Sequence, residues 1–180
     1  MRDQHADSGG AQPPADVQRP LRIALLSYRS KAHSGGQGIY IRHLSRELAA
    51  LGHDVEVISG PPYPPLDAGP RLTMVPSLDL YREPDPFRVP RPSEFRSAID
   101  VYEFLSMCTG AFPEPLTFSM RARRLLSKRP PEQQPDIIHD NQTLGYGMVL
   151  MEKQGLPVVA TIHHPSTVDK SLELASANLR

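Results

Sequence analysis

Leu21-Arg22-Ile23-Ala24-Leu25-Leu26-Ser27 opens the stretch whose reading decides the fold. The run is short, rich in Ile and Leu, and does not alternate with polar residues, which suits a strand buried on both faces. A polar, glycine-rich turn follows, His33-Ser34-Gly35-Gly36-Gln37-Gly38. Ile41, Leu44, Leu48 and Leu51 then recur at spacings of three and four, which predicts a helix with one buried stripe. Gly52 stands where a residue tolerant of the left-handed conformation ends a helix. Asp54-Val55-Glu56-Val57-Ile58-Ser59 predicts a second strand. Strand, glycine turn, helix, glycine stop and strand make one βαβ unit, and such units wind right-handed into a parallel sheet. Ligands of such sheets bind at the carboxyl ends of the strands, where the glycine turn lies.

Outward from this unit the rhythm breaks and then returns. Residues 61–92 hold ten of the chain's 20 prolines. Proline removes amide donors and fixes φ, so a long surface excursion is expected there, with Leu72-Thr73-Met74-Val75 as a short strand inside it. Residues 93–109 predict a helix capped by Ser93, with Phe95, Ile99, Tyr102 and Leu105 on one side. Residues 116–128 predict another, ending in a basic run of Arg121, Arg123, Arg124, Lys128 and Arg129. That run reads as a solvated face suited to the helix dipole, or as a weak contact with anionic lipid or a phosphorylated acceptor. Pro135-Asp136-Ile137-Ile138-His139 is a short strand. Leu144, Met148 and Met151 mark a helix stopped at Gly155. Pro157-Val158-Val159-Ala160-Thr161-Ile162 is an apolar strand ending in His163-His164-Pro165, and residues 172–180 begin a further helix.

The chain has 180 residues, enough for one Rossmann-like domain and too few for two. The fold class is therefore α/β, a Rossmann-like parallel sheet with flanking helices. Residues 1–20 are polar, carry Pro13, Pro14 and Pro20, and read as a disordered tail preceding a domain over 21–180. Lys plus Arg equals Asp plus Glu at 20 each, so the net charge is zero. A nucleic-acid partner is excluded on that ground, since neutralising phosphates needs a basic surplus. The one cysteine, Cys108, rules out a disulfide within the chain and reads as a small buried residue. No signal peptide or bilayer-spanning apolar run is visible, so a cytoplasmic protein is expected.

Several patterns bear on chemistry. Gly35, Gly36 and Gly38 between a buried strand and a helix allow positive φ and close backbone approach. The amides that follow favour an anion. A tight turn with no ligand explains the same glycines. The pattern is not a Walker loop, and it fails Gly-x-Gly-x-x-Gly because the third position is Ile41, which weakens a nicotinamide or flavin reading. His139 and His163 each end a predicted strand, so both emerge on the ligand edge, as satisfied polar residues or as functional groups. His163 and His164 are adjacent on a strand and face opposite ways, so they do not share one ion. With no His-Glu-x-x-His, no second cysteine and no Asp-x-Asp, no metal is expected. No Gly-x-Ser-x-Gly elbow is present.

Taken in order, these motifs resemble the N-terminal domain of family 4 retaining glycosyltransferases. Arg22-Ile23-Ala24-Leu25-Leu26 leads to Ser34-Gly35-Gly36-Gln37-Gly38-Ile39-Tyr40, similar to that family's double-glycine loop. Arg46-Glu47-Leu48-Ala49-Ala50-Leu51-Gly52-His53-Asp54-Val55-Glu56-Val57 resembles its helix ending in Gly-His before the second strand. Pro135-Asp136-Ile137-Ile138-His139, then Asn141-Gln142-Thr143-Leu144-Gly145-Tyr146-Gly147, resemble its third motif and the helix start after it. Pro157-Val158-Val159-Ala160-Thr161-Ile162-His163 is similar to its strand ending in Thr-x-His. The likeness spans residues 22–180, with 61–130 unmatched in detail.

The resemblance implies a GT-B fold of two Rossmann-like domains, of which this chain is the N-terminal, acceptor-side part. It implies a nucleotide-diphosphate sugar donor, a carbohydrate, lipid-linked or small-molecule acceptor, and no metal or other cofactor. His163 is implied as the catalytic residue that orients the donor sugar. Gly35, Gly36, Gln37, Gly38, Tyr40, His139, Asn141, Gln142 and His164 are implied as substrate-binding. Many relatives carry a histidine where this chain has Asn141. The family's donor domain, with its Arg, Lys and Glu-x7-Glu carboxylates, is expected to be absent, and even the N-terminal sheet is expected to lack its last strand. Low activity and poor solution behaviour are then expected of these residues alone. Two other classes stand beside this reading: a sugar- or nucleotide-binding module without catalysis, and a short-chain oxidoreductase, which the failed third glycine disfavours.

Overall fold

The computed structural model describes residues 19–30 and 36–163. Five strands form one parallel sheet: β1 (Arg22–Ser27), β2 (Asp54–Ser59), β3 (Arg71–Met74), β4 (Ile137–Asn141) and β5 (Val158–Thr161). Their order across the sheet is β3-β2-β1-β4-β5. All four pairings are parallel, with Arg22 opposite Asp54, Ile23 opposite Ile137, and Asn141 opposite Thr161. The expected α/β, Rossmann-like architecture is therefore present, and its carboxyl ends share one edge. Among the described residues four helices connect the strands: α1 (Gly36–Ala50), α2 (Ala98–Cys108), α3 (Glu114–Leu126) and α4 (Tyr146–Glu152).

Strand β1 is central, which explains its unbroken apolar sequence. Ile23 and Leu25 meet Val55, Val57 and Ile41 of α1 on one face, and Leu44 and Leu48 close that layer. Ala24 and Leu26 meet Ile58, Ile138, Phe118, Ala122 and Leu126 of α3, and Met148 and Met151 of α4, on the other. Fully burying each large aliphatic or aromatic side chain contributes about 1.5–3 kcal/mol, so the two-sided packing outweighs β1's lack of alternation. Helices α3 and α4 touch through glycine: a Cβ on Gly147 would lie 2.4 Å from the Ser119 carbonyl oxygen, and one on Gly145 2.4 Å from Ser119 Oγ. Ser119 Oγ in turn accepts the Gly147 N–H at 3.0 Å.

The structure corrects several sequence expectations. Residues 61–92 hold the short strand expected there, as β3, but they are not only a surface excursion: Leu78 and Leu80 build a third apolar cluster with Met107, flanked by Tyr81, Phe95 and Phe104. The cap of α2 is Ser97, whose side chain accepts the Asp100 N–H, and Ser93 lies in a separate short 3-10 turn, Pro92–Glu94. The buried positions of α2 are Asp100, Glu103 and Met107, whereas Tyr102 and Leu105 are exposed. Charge pairing, not the apolar stripe, decides which face turns inward. Arg121 of the basic run binds Asp100 and Glu103, and Arg129 binds Glu56, so only part of the run, Arg124 and Lys128, is a solvated face. Leu51 is 73% exposed because α1 ends at Ala50, one residue short of where its stripe extends. Leu144 precedes α4 and is exposed, and Cys108 is exposed at the end of α2. The expected tail and the helix over 172–180 lie outside the described residues, apart from residues 19 and 20. Among the described residues no helix is long and apolar enough to cross a membrane.

Candidate functional site

Parallel pairing brings the ends of β4 and β5 and the start of α1 together at the carboxyl edge. β4 continues to Asn141, two residues past the expected end, so His139 is internal to the strand and pairs with Leu25 and Val159. Alternation along a strand puts His139 and Asn141 on one face, and the pairing of Asn141 with Thr161 puts Thr161 beside them. That face is the one covered by α1, whose first turns carry Gly36, Gln37, Gly38 and Tyr40.

The side chains form one hydrogen-bonded cluster. His139 Nε2 lies 2.7 Å from Thr161 Oγ1, and the Tyr40 hydroxyl lies 3.4 Å from the same oxygen. His163 Nε2 is 2.6 Å from Asn141 Oδ1. Asn141 Nδ2 donates to the Gln37 carbonyl at 3.4 Å. Gln142 Oε1 accepts from the His163 N–H at 3.1 Å and from Gln37 Nε2 at 3.5 Å. The Tyr40 ring stands edge-on to His163 with centroids 4.8 Å apart, and to His139 at 6.5 Å. Asn141 is fully buried, His139 is half-buried and His163 is exposed. Burial pushes the His139 pKa below its usual value; Asp140 opposes this and His163 adds to it. The imidazole is therefore neutral at neutral pH and acts through hydrogen bonds rather than charge.

The turn after β4 sets this geometry. Gln142 and Leu144 both have left-handed backbones, φ 57° and 48°. Such conformations are costly for residues other than glycine and need external support. Asp140, fully buried on the opposite face of β4, provides it by accepting the N–H of Thr143 at 3.3 Å and of Leu144 at 2.8 Å. Burial raises the Asp140 pKa against those bonds. The turn so held aims the Gln142 amide at the His163 backbone.

Of the residues singled out in the sequence, Gln37, Tyr40, His139, Asn141, Gln142 and His163 meet in this cluster. Gly36 and Gly38 sit in the first turn of α1 rather than in a turn before it. A Cβ on Gly36 would meet nothing within 4 Å, so the glycine leaves open space at the helix start. Gly35 and His164 lie outside the described residues. Thr161 and Asp140 were missed as site residues. Thr161 was visible in the Thr-x-His pattern, while Asp140 had no signal because its role is to hold a backbone turn. Chemically, the cluster offers hydrogen-bond donors and acceptors to a polyhydroxylated ligand, beside helix amides suited to an anion. Among the described residues it contains no Lys or Arg.

Residues 34–179 match the family model of Glycosyltransferase Family 4. The chain is 63% identical over 158 residues to the "MMP alpha-(1->4)-mannosyltransferase" of Mycolicibacterium hassiacum, covering 87% of this chain and 38% of that protein. It thus spans well under half of the length of that relative. Among solved structures it is similar to the calicheamicin glycosyltransferase CalG4, at TM-score 0.48 and 18% identity over 87% of this chain and 37% of that one. It is also similar to the glycosyltransferase SsfS6 of Streptomyces sp. SF2575, at TM-score 0.44 and 19% identity over 78% of this chain and 38% of that one.

Proposed function

Because the chain belongs to glycosyltransferase family 4, we propose that it forms the acceptor-side part of an enzyme that moves a mannosyl group from a nucleotide-diphosphate donor to a hydroxyl acceptor with retention of configuration. The observation that carries the reading is the convergence of Gln37, Tyr40, His139, Asn141, Thr161 and His163 beside the start of α1. The 63% identity to a protein named as an α-(1→4)-mannosyltransferase supports mannose as the transferred sugar.

Each group has a role in this reading. The first amides of α1 have no acceptor within the helix and face the donor diphosphate, with open space at Gly36 for close approach. His163 donates its Nε2–H to Asn141 Oδ1, which leaves Nδ1 as an acceptor for a sugar hydroxyl. The imidazole orients the donor sugar and is not a nucleophile. The bond from the anomeric carbon to the diphosphate oxygen breaks as the acceptor oxygen bonds to the same face. The departing diphosphate takes the acceptor proton. Fixed dipoles aimed at the positive charge developing on the sugar lower the barrier. Among the described residues the cluster provides no Lys or Arg for the diphosphate, so little transfer is expected from the cluster without a further cationic group.

The test uses the protein purified from its source cells at native length, with radiolabelled nucleotide-diphosphate mannose and NMR of the product. An α-linked product from an α-linked donor is expected. His163→Ala should lower kcat by about 10²–10³-fold. Transfer should survive chelation of divalent cations, in line with the lack of Asp-x-Asp. A β-linked product would sink retention, and an unchanged kcat would remove His163 from the site. Binding without transfer would leave a sugar- or nucleotide-binding module.

A further inference from the structure

On the other side of the same carboxyl edge, four aromatic rings form a continuous ledge. Tyr28 follows β1, Tyr81 and Phe87 follow β3, and Phe112 lies between α2 and α3. Tyr28 and Phe112 have centroids 6.3 Å apart, Phe112 and Tyr81 5.0 Å, and Tyr81 and Phe87 5.3 Å. The ledge is open: Phe112 is 50% exposed and Phe87 64%. Exposed rings in contact with one another mark a binding surface more than isolated ones do.

Two charged groups lie at its base. The Arg29 guanidinium carbon stands 5.8 Å from the Tyr81 ring centroid, and Arg29 Nη2 donates to the Tyr81 carbonyl at 2.9 Å. Arg29 Nε lies 3.8 Å from Glu114 Oε2, close enough to attract and too far for a hydrogen bond. The Glu114 side chain is 9% exposed, and neither Arg29 Nε nor Glu114 Oε2 has a hydrogen-bond partner among the described residues. Burial pushes the Glu114 pKa up to about 7. An unpaired donor and acceptor are thus held together under an aromatic surface.

We propose that Tyr28, Tyr81, Phe87 and Phe112, with Arg29 and Glu114 at their base, form the acceptor subsite and take the apolar face of a neutral pyranoside ring. The inference rests on the glycosyltransferase reading and names the substrate class on its acceptor side. Charge decides between donor and acceptor. Arg29 lies beneath the rings, its side chain 21% exposed and its Nη2 committed to the Tyr81 carbonyl, so the open surface is aromatic rather than cationic and suits a neutral ring better than a diphosphate. A sugar ring presents C–H groups on one face and hydroxyls at its rim, which matches rings flanked by a polar pair. Tyr28 follows β1, Tyr81 follows β3 and His163 follows β5, so the ledge and the donor cluster both stand at the carboxyl ends of one parallel sheet.

The experiment is NMR titration of the chain, its aromatic rings isotope-labelled, with methyl α-D-mannopyranoside. A nucleoside diphosphate is titrated in parallel. Saturable shifts of the Phe112 and Phe87 rings are expected. Phe112→Ala and Phe87→Ala, both at exposed positions, should each weaken sugar binding by about fivefold and leave nucleoside diphosphate binding unchanged. Absent saturable shifts, or equal affinity in the variants, overturns the proposal. It is also overturned if the variants instead abolish concentration-dependent self-association, which makes the ledge an interface. Failure of the nucleoside diphosphate to bind, with the sugar still on the ledge, counts against the glycosyltransferase reading and not against the ledge.

Discussion

Replacing Arg121 with methionine is expected to cost a large part of the stability of the domain. Arg121 Nη2 donates to Asp100 Oδ1 at 2.6 Å and to Glu103 Oε2 at 2.7 Å, and Nη1 donates to Glu103 Oε1 at 3.1 Å. The Glu103 side chain is 1% exposed, and those of Asp100 and Arg121 are 10% exposed. Glu103 also accepts from Thr117 Oγ1 at 2.7 Å and from the Leu78 N–H at 3.5 Å, so the charge sits where α2, α3 and the segment after β3 meet. Without the guanidinium, two carboxylates remain buried with no cation, which costs about 3–5 kcal/mol. A domain of this size has about 5–15 kcal/mol in total. Burial pushes the Asp100 pKa up, but Arg121, Ser97 and the Arg96 N–H outweigh it and hold the value below normal. A depressed carboxyl contributes stability above its unfolded pKa of about 3.9 and loses it as pH falls through the folded value. The gap between wild type and Arg121→Met should therefore be full at neutral pH and narrow in acid. Urea unfolding followed by far-UV circular dichroism measures it. Adding Asp100→Asn and Glu103→Gln to Arg121→Met should restore most of the loss, because no buried charge is then left. A loss below about 1 kcal/mol for the single variant, or a triple variant no better than the single, would refute the reasoning.

Three further outcomes are expected. Gly147→Ala should cost about 1–3 kcal/mol, since its Cβ would lie 2.4 Å from a backbone oxygen that cannot swing away, and a lowered Tm checks it. Gly36→Ala, where a Cβ meets nothing, should leave Tm unchanged but weaken nucleoside diphosphate binding in calorimetry. With the Glu114 pKa raised from 4.5 to about 7, the folded state holds that proton more tightly, so wild-type stability falls as pH rises through this window. Glu114→Gln lacks the slope and should gain on wild type by up to about 3 kcal/mol across it, read from urea midpoints.

Much of the fold was legible because its signals are local. The unbroken apolar run at Ile23–Leu26 marked a strand covered on both faces, and the three-and-four spacing from Ile41 to Leu48 marked a helix covered on one. Gly52 and Gly155 take positive φ where helices end, as their positions foretold. The motif residues at the carboxyl ends were equally readable, since a parallel sheet sends every strand end to one edge. Gln37, Tyr40, His139, Asn141, Gln142 and His163 did converge there.

What the sequence by itself determined was therefore most of the elements, their winding and the edge that holds the candidate site. Tertiary structure alone decided the pairings between groups far apart in the chain. Nothing local says that Arg121 turns inward to Asp100 and Glu103, or that Arg129 reaches Glu56 across 73 positions. Nor does it say that Asp140 holds the turn that aims Gln142 at His163, or that Tyr28, Tyr81, Phe87 and Phe112 meet in one ledge. Periodicity reports how a segment meets water. A charge, a buried carboxylate or a ring settles by the partner it finds, and that partner is set only when the sheet has assembled.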